Sequence, residues 1–290
     1  MQELRQKYPL GGLLRMARLA RSSFYYQLKL LQMGDKHASL KSRIHSLFHR
    51  HRGRYGYRRV TAAIRREGTT VNHKTVQRLM GVLGLKSRVR IKKYRAYQGE
   101  VGQVAPNILE RKFRADRPNQ KWVTDVTEFS VGGQKLYLSP VLDLYNGEII
   151  AFETARRPLF GMIEAMLHRA FARLGPGEKP LLHSDQGWQY RMPVYRETLQ
   201  QKAVIPSMSR RGNCLDNAVM ESFFGTLKAE FFHLTRFRDI QELQRGIRRY
   251  IYYYNHERIR LTLGGFSPVE YRSFRSPALR ARDCAAGRRY

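Results

Sequence analysis

Lys121-Trp-Val-Thr-Asp-Val-Thr-Glu-Phe-Ser-Val131 alternates along its length and is rich in β-branched and aromatic residues, the pattern of a strand. Gly132-Gly133 marks a turn after it, and 135–144 reads as a second strand. Asn146-Gly147 is a strong hairpin pair, so 148–154 returns as a third strand. Working outward, 159–174 is helical, with Met162, Ile163, Met166, Leu167, Ala170 and Phe171 on one side and Gly175-Pro-Gly177 ending it. A short buried strand over 179–183, a helix over 194–201 and a short strand over 203–205 follow. Two more helices are read at 215–232 and 240–254. Three antiparallel strands, then strands alternating with helices, predict an α/β layered domain.

Carboxylates stand at suggestive places in that pattern. Asp125 is mid-strand in an apolar and Thr-rich segment, where an unpaired acid is costly. Asp185 ends a buried strand in His183-Ser-Asp-Gln-Gly187. Glu221 lies early in a helix, in Asp216-Asn-Ala-Val-Met-Glu-Ser-Phe-Phe224. Three acids from separate elements can converge on one or two Mg²⁺ ions, which favour oxygen ligands. Two such ions about 4 Å apart would suit an in-line phosphoryl displacement. Glu128, Asp143, Asp216 and Glu230 compete for the same roles. Asp216 also reads as a partner of a helix N-terminus, and Glu128 and Asp143 as solvated strand residues.

The chain has 290 residues, with 54 Lys and Arg against 23 Asp and Glu, a net charge of +31. Such self-repulsion calls for a polyanion, and nucleic acid is the first candidate. The charge is uneven: residues 1–114 hold 27 Lys and Arg and 5 Asp and Glu. No apolar run approaches the ~20 residues that span a bilayer, so no membrane role is expected. Two cysteines, Cys214 and Cys284, exclude a disulfide framework and suit a reducing cytoplasm.

Within residues 1–50, Leu13, Leu14, Met16, Ala17, Leu19 and Ala20 form a helical stripe. Ser22 and Ser23 then read as an N-cap before Phe24-Tyr-Tyr26, the outline of a helix-turn-helix. A clearer one occupies 51–87. Val60, Ala63 and Ile64 share a face, Gly68 fits a helix end, and Asn72 caps a helix carrying Val76, Leu79, Met80 and Leu83. Its outer face bears His73, Lys74, Thr75, Gln77 and Arg78, which could reach phosphates and base edges. Arg58 and Arg59 open the preceding helix, where they could clamp the DNA backbone. Residues 88–114 read as a basic linker or a solvated loop, and 276–290 as a basic tail.

The matching text then suggests a family. Trp122-Val-Thr-Asp-Val-Thr-Glu-Phe129, His183-Ser-Asp-Gln-Gly-Trp-Gln-Tyr190 and Ser207-Met-Ser-Arg-Arg-Gly-Asn-Cys-Leu-Asp-Asn-Ala-Val-Met-Glu-Ser-Phe-Phe224 resemble the integrase-type transposases of bacterial insertion sequences. Tyr253-Tyr-Asn-His-Glu-Arg258 and Leu263-Gly-Gly-Phe-Ser-Pro268 continue the likeness, which is specific to the second-reading-frame product of the insertion-sequence-three family. The resemblance implies a ribonuclease-H-like, retroviral-integrase-type catalytic core over 115–275, preceded by the all-α helix-turn-helix region. It implies DNA strand cleavage at element ends and transfer of a 3′-hydroxyl to target DNA. Asp125, Asp185 and Glu221 would be the catalytic metal ligands for Mg²⁺, with Mn²⁺ as substitute and two ions expected. The 35 residues between Asp185 and Glu221, and Lys228 seven after Glu221, fit that group. Lys228 would contact DNA from the same helix face as Glu221.

The implied partners are terminal inverted repeats, target DNA, further copies of this chain on DNA, and the upstream-reading-frame protein. His37, His45, His49 and His51 have no nearby cysteines, so the zinc module of retroviral integrases is not expected. A nuclease without joining activity and a DNA-binding regulator are the competing readings.

Overall fold

In the computed structural model the 121–131 stretch forms two strands in one line, β1 (Lys121–Thr124) and β2 (Thr127–Val131). Both pair with the long β3 (Gln134–Asp143), at Thr124 with Val141 and at Thr127 with Leu138. The register carries Asp125 opposite Pro140, which has no N–H to give a ladder. Asp125 therefore sits in a break between strands and not mid-strand as expected. The structure describes residues 3–32, 35–88, 105–210 and 213–275.

The N-terminal elements are α1 (Leu10–Met16), α2 (Arg21–Gln32), α3 (Ala38–Arg50), α4 (Tyr57–Arg66) and α5 (His73–Val82). Ser22 and Ser23 lie inside α2, so they do not cap it. Asn72 does cap α5, accepting the Lys74 N–H at 2.9 Å. Ile44, Leu47 and Phe48 of α3 join Val60, Ile64, Val76 and Leu79 in one small core. The helical unit thus begins before residue 51.

After β3 come β4 (Ile149–Ala155), α6 (Phe160–Phe171), β5 (Leu181–Ser184), α7 (Pro193–Gln201) and β6 (Ile205–Met208). A short 3-10 helix (Cys214–Asn217) leads into α8 (Ala218–Glu230), followed by α9 (Ile240–His256) and α10 (Pro268–Arg275). β1 runs antiparallel to β3 and parallel to β5, and β5 is parallel to β6. One sheet face packs Val123, Phe129, Leu138 and Leu142 on α8 and α9. The other packs Trp122, Val141 and Leu182 on α6 and α7. This is a three-layer α/β/α arrangement.

Residues 105–114, expected as linker, instead dock on this core. Leu109 is buried in it, and Ser207 Oγ accepts the Ile108 and Leu109 N–H groups at 3.0 and 3.2 Å. A basic stretch is held there by acids: Arg111 pairs with Asp216 at 2.8 Å. The rest of the expected linker, 89–104, and the 276–290 tail lie outside the described residues. Among the described residues no helix is long and apolar enough to cross a membrane.

Candidate active site and nucleic-acid interface

Two adjacent parallel strands end side by side. Val123 of β1 lies in register with His183 of β5, so Asp125 and Asp185 leave the sheet two residues beyond a paired position. The carboxyl ends of parallel strands are where open α/β sheets place their ligands. Each acid is oriented by backbone: Asp125 Oδ1 accepts the Val126 N–H at 2.7 Å, and Asp185 Oδ1 the Gly187 N–H at 2.9 Å. Asn217 Nδ2 donates to Thr124 O at 3.2 Å and ties the start of α8 to the end of β1. Glu221 sits in the first turn of that helix.

The electrostatics follow. Burial, then the neighbouring Asp185 charge, push the Asp125 carboxyl well above the usual carboxylate range; Glu221 adds to this and Lys228 opposes it. Burial also raises Asp185, against the Gly187 N–H and Arg191. Two half-buried acids side by side, with an all-oxygen donor set, suit a hard divalent cation. Among the described residues no group of three His, Cys, Asp or Glu side chains stands close enough together to hold a metal ion, so Asp125 and Asp185 are the oxygen donors brought together and Glu221 stands on the helix beside them.

The competitors are committed elsewhere. Asp216 is buried and takes Arg210, Arg111 and Asn107, with Arg210 first among the groups that hold its carboxyl far below the usual range. It clamps the 105–114 segment to the 3-10 turn that leads into α8 and is no simple helix-end partner. Asp143 is fully buried, pairing with Arg272 at 2.7 Å and accepting the Asn119 and Tyr145 N–H groups, so it is not a solvated strand residue. Glu128 is exposed and pairs with Lys135. His183 lies beneath the site, its ring nitrogens 2.9 and 3.0 Å from Ser207 and Ser209 hydroxyls. The spacing Ser207-Met-Ser209, at the end of β6 and just past it, was the available sign of that pairing.

Two family models described as integrase core domain match residues 115–214 and 221–275, and an HTH-like domain model matches 36–93. The chain is 58% identical over 273 residues to the InsK transposase of insertion sequence element IS150 of Escherichia coli K12, covering 94% of this chain and 96% of that one. It is 31% identical over 276 residues to transposase InsF of insertion sequence IS3A of the same organism, covering 91% and 94%. The chain belongs to the insertion-sequence-three family of integrase-core transposases. It is an enzyme of DNA transposition, a polynucleotidyl transferase with a ribonuclease-H-like core. The transposase also resembles the HTLV-2 integrase catalytic core domain in complex with magnesium, with a TM-score of 0.45 and 18% identity over 55% of this chain and 99% of that one.

The transposase presents His73, Lys74, Gln77 and Arg78 outward on α5, with Thr75 half-buried. Arg58 is exposed and rests on Tyr57, its Nε 3.2 Å from the hydroxyl. Arg59, expected at the DNA backbone, turns the other way. It pairs with the buried Glu230 at 3.1 Å, because a carboxylate in the core needs cations more than a solvated phosphate site does. Lys228 is half-buried with its ammonium 5.3 Å from the Phe129 ring centre, on the side where its charge reaches Asp125.

Proposed function

We propose that this transposase cuts DNA at insertion-sequence ends and joins the freed 3′-hydroxyl to target DNA, with Asp125, Asp185 and Glu221 holding Mg²⁺ or Mn²⁺. The observation that carries the reading is the pair of parallel strand ends bearing Asp125 and Asp185, with Glu221 in the first turn of the helix tied to them by Asn217. A bound pair of ions would supply Lewis acidity to the attacking and leaving oxygens. The protein contributes the rest. Gly187 and Val126 fix one oxygen of each aspartate, and the three acids are half-buried at the sheet end, which leaves them open to a substrate. In cleavage a water oxygen bonds to phosphorus and the O3′–P bond breaks. In joining the freed 3′-hydroxyl attacks a target phosphorus and a target 3′-oxygen leaves. No covalent enzyme intermediate is required.

Lys228, two helical turns beyond Glu221, places an ammonium beside the scissile region. His73, Lys74, Thr75, Gln77, Arg78 and Arg58 contact the terminal inverted repeats. Several copies assemble on paired ends, with the upstream-reading-frame protein as fusion or partner. The experiment is a joining assay with labelled element ends and Mg²⁺. Joined product supports the reading; cleavage without joining would make the chain a nuclease.

A further inference from the structure

Six arginines line one groove of about 760 Å³ where the turn after α3 meets α9. Arg50, Arg52 and Arg54 come from the helix-turn-helix side, and Arg245, Arg248 and Arg249 from the core side. Arg54 is spoken for: it is buried, its Nε donates to Glu230 O at 3.0 Å, and its guanidinium lies over Tyr250 and Tyr253. The other five are exposed, and among the described residues none of them forms an ion pair. Glu242 and Glu257 are the acids of the lining. Glu242 is already engaged in the start of α9, where its carboxylate accepts the Arg238 N–H at 2.7 Å.

Five uncompensated guanidiniums in one groove repel one another, so a polyanion is the ligand that relieves them. Their spacing favours a nucleic-acid backbone. Arg245 and Arg249 are one turn apart on α9, a rise of about 6 Å, close to two nucleotide steps of about 3.4 Å along a duplex. Arg50 and Arg52 face them across the groove, on a turn held by Gly53 N–H to Phe48 O at 2.9 Å and Arg88 N–H to Gly53 O at 3.0 Å. The exposed Tyr252, stacked on His256 at 4.4 Å, gives the groove a flat aromatic rim.

We propose that this groove is a second DNA site, binding the phosphate backbone of duplex DNA that flanks the reacting end. It is separate from the carboxylate site. Phe231, at its wall, follows the last residue of α8, and Glu221 lies nine residues before that end, about 13 Å up the helix. The proposal rests on the transposase reading and supplies a contact shared between the two domains.

The test uses the full chain and a short fluorescein-labelled DNA duplex, with affinity measured by anisotropy across a KCl series. Arg245→Ala, Arg248→Ala and Arg249→Ala combined should make log K against log salt shallower by about 2.7, three lost phosphates at about 0.9 each. Arg157→Ala, Lys179→Ala and Lys202→Ala remove equal charge elsewhere and should change the slope far less. Arg→Lys at the three groove positions should restore it, since phosphates accept a point charge. Thermal unfolding checks that the variants fold, and Arg248→Gln with Arg249→Gln is the milder substitute. A groove variant with the wild-type slope, as an acidic protein partner would leave it, overturns the groove while the transposase reading stands. A wild-type chain with no salt-dependent duplex binding defeats both.

Discussion

Arg59 of α4 pairs across the domain boundary with Glu230, the last residue of the helix that carries Glu221, at 3.1 Å. Arg258 holds both oxygens of the same carboxylate at 2.8 and 2.9 Å, and Tyr250 donates to it at 3.1 Å. Burial pushes Glu230 up, but Arg258 and Arg59 outweigh it and hold the carboxyl below its ordinary range. Removing the acid strands the buried Arg258. Glu230→Ala should cost about 3–5 kcal/mol in urea unfolding. A Glu230→Met, Arg258→Met pair should recover much of that loss, because both desolvated charges go together. Equal destabilisation of the single and the pair would show that the charge is not the cause.

Asp125→Asn, Asp185→Asn and Glu221→Gln should each reduce cleavage and joining to background while duplex binding persists. Asp125→Asn carries a second expectation. It removes an acid that crowds Asp185 in a half-buried site at nearly constant volume, so the metal-free protein should melt higher than wild type. Mg²⁺ should then stabilise wild type, by about 2.7 kcal/mol at a hundred times its Kd, and the variant much less. Retained joining in any of the three would mean a wrong choice of acid. Asp143→Asn and Asp216→Asn should retain chemistry in whatever fraction stays folded, since their partners are arginines of the scaffold.

His51 sets a pH dependence at the domain boundary. It stacks on Tyr55 at 3.8 Å, and burial, then Arg50, Arg54 and Arg59, lower its pKa to about 4. His183, buried between two serines, is also lowered to about 4. In each case the unfolded chain takes up the proton first. Their contribution is complete above about pH 6.5, drains as pH falls below it, and stops falling near pH 4, where the folded state protonates too. Unfolding free energy measured from pH 7 to 4.5 should decline, and His51→Phe, which keeps the stack, should flatten part of that decline. A His51→Phe profile parallel to wild type would refute the assignment.

Strand and helix order, the Asn72 cap and the place of Asp185 at a strand end were legible because they rest on local periodicity and turn chemistry; the break at Asp125 was not. Partnerships were not. Arg59 looks like any basic residue at a helix start until Glu230, far along the chain, is folded beside it. Asp143 reads as a polar strand residue until Arg272 of α10 covers it. The 105–114 segment is basic and irregular, yet Leu109 and the Asp216 clamp make it part of the core. Pro140 was visible, but its place opposite Asp125 needed the register.

Lys228 is where sequence geometry and folded geometry can be tested together. Seven residues turn an α-helix through about 700° and raise it about 10 Å, so Lys228 shares the Glu221 face. Its ammonium lies over Phe129, a contact worth about 0.5–1 kcal/mol when partly exposed. Lys228→Met keeps most of the stem packing, so thermal stability should change by no more than that amount. Joining should fall much further, because the lost charge would position DNA beside the carboxylates. A photo-crosslinker at position 228 should mark terminal nucleotides of the element and not the target strand. Wild-type joining by Lys228→Met, or cross-links confined to target DNA, would leave Lys228 a residue of α8 that only packs on Phe129 of β2.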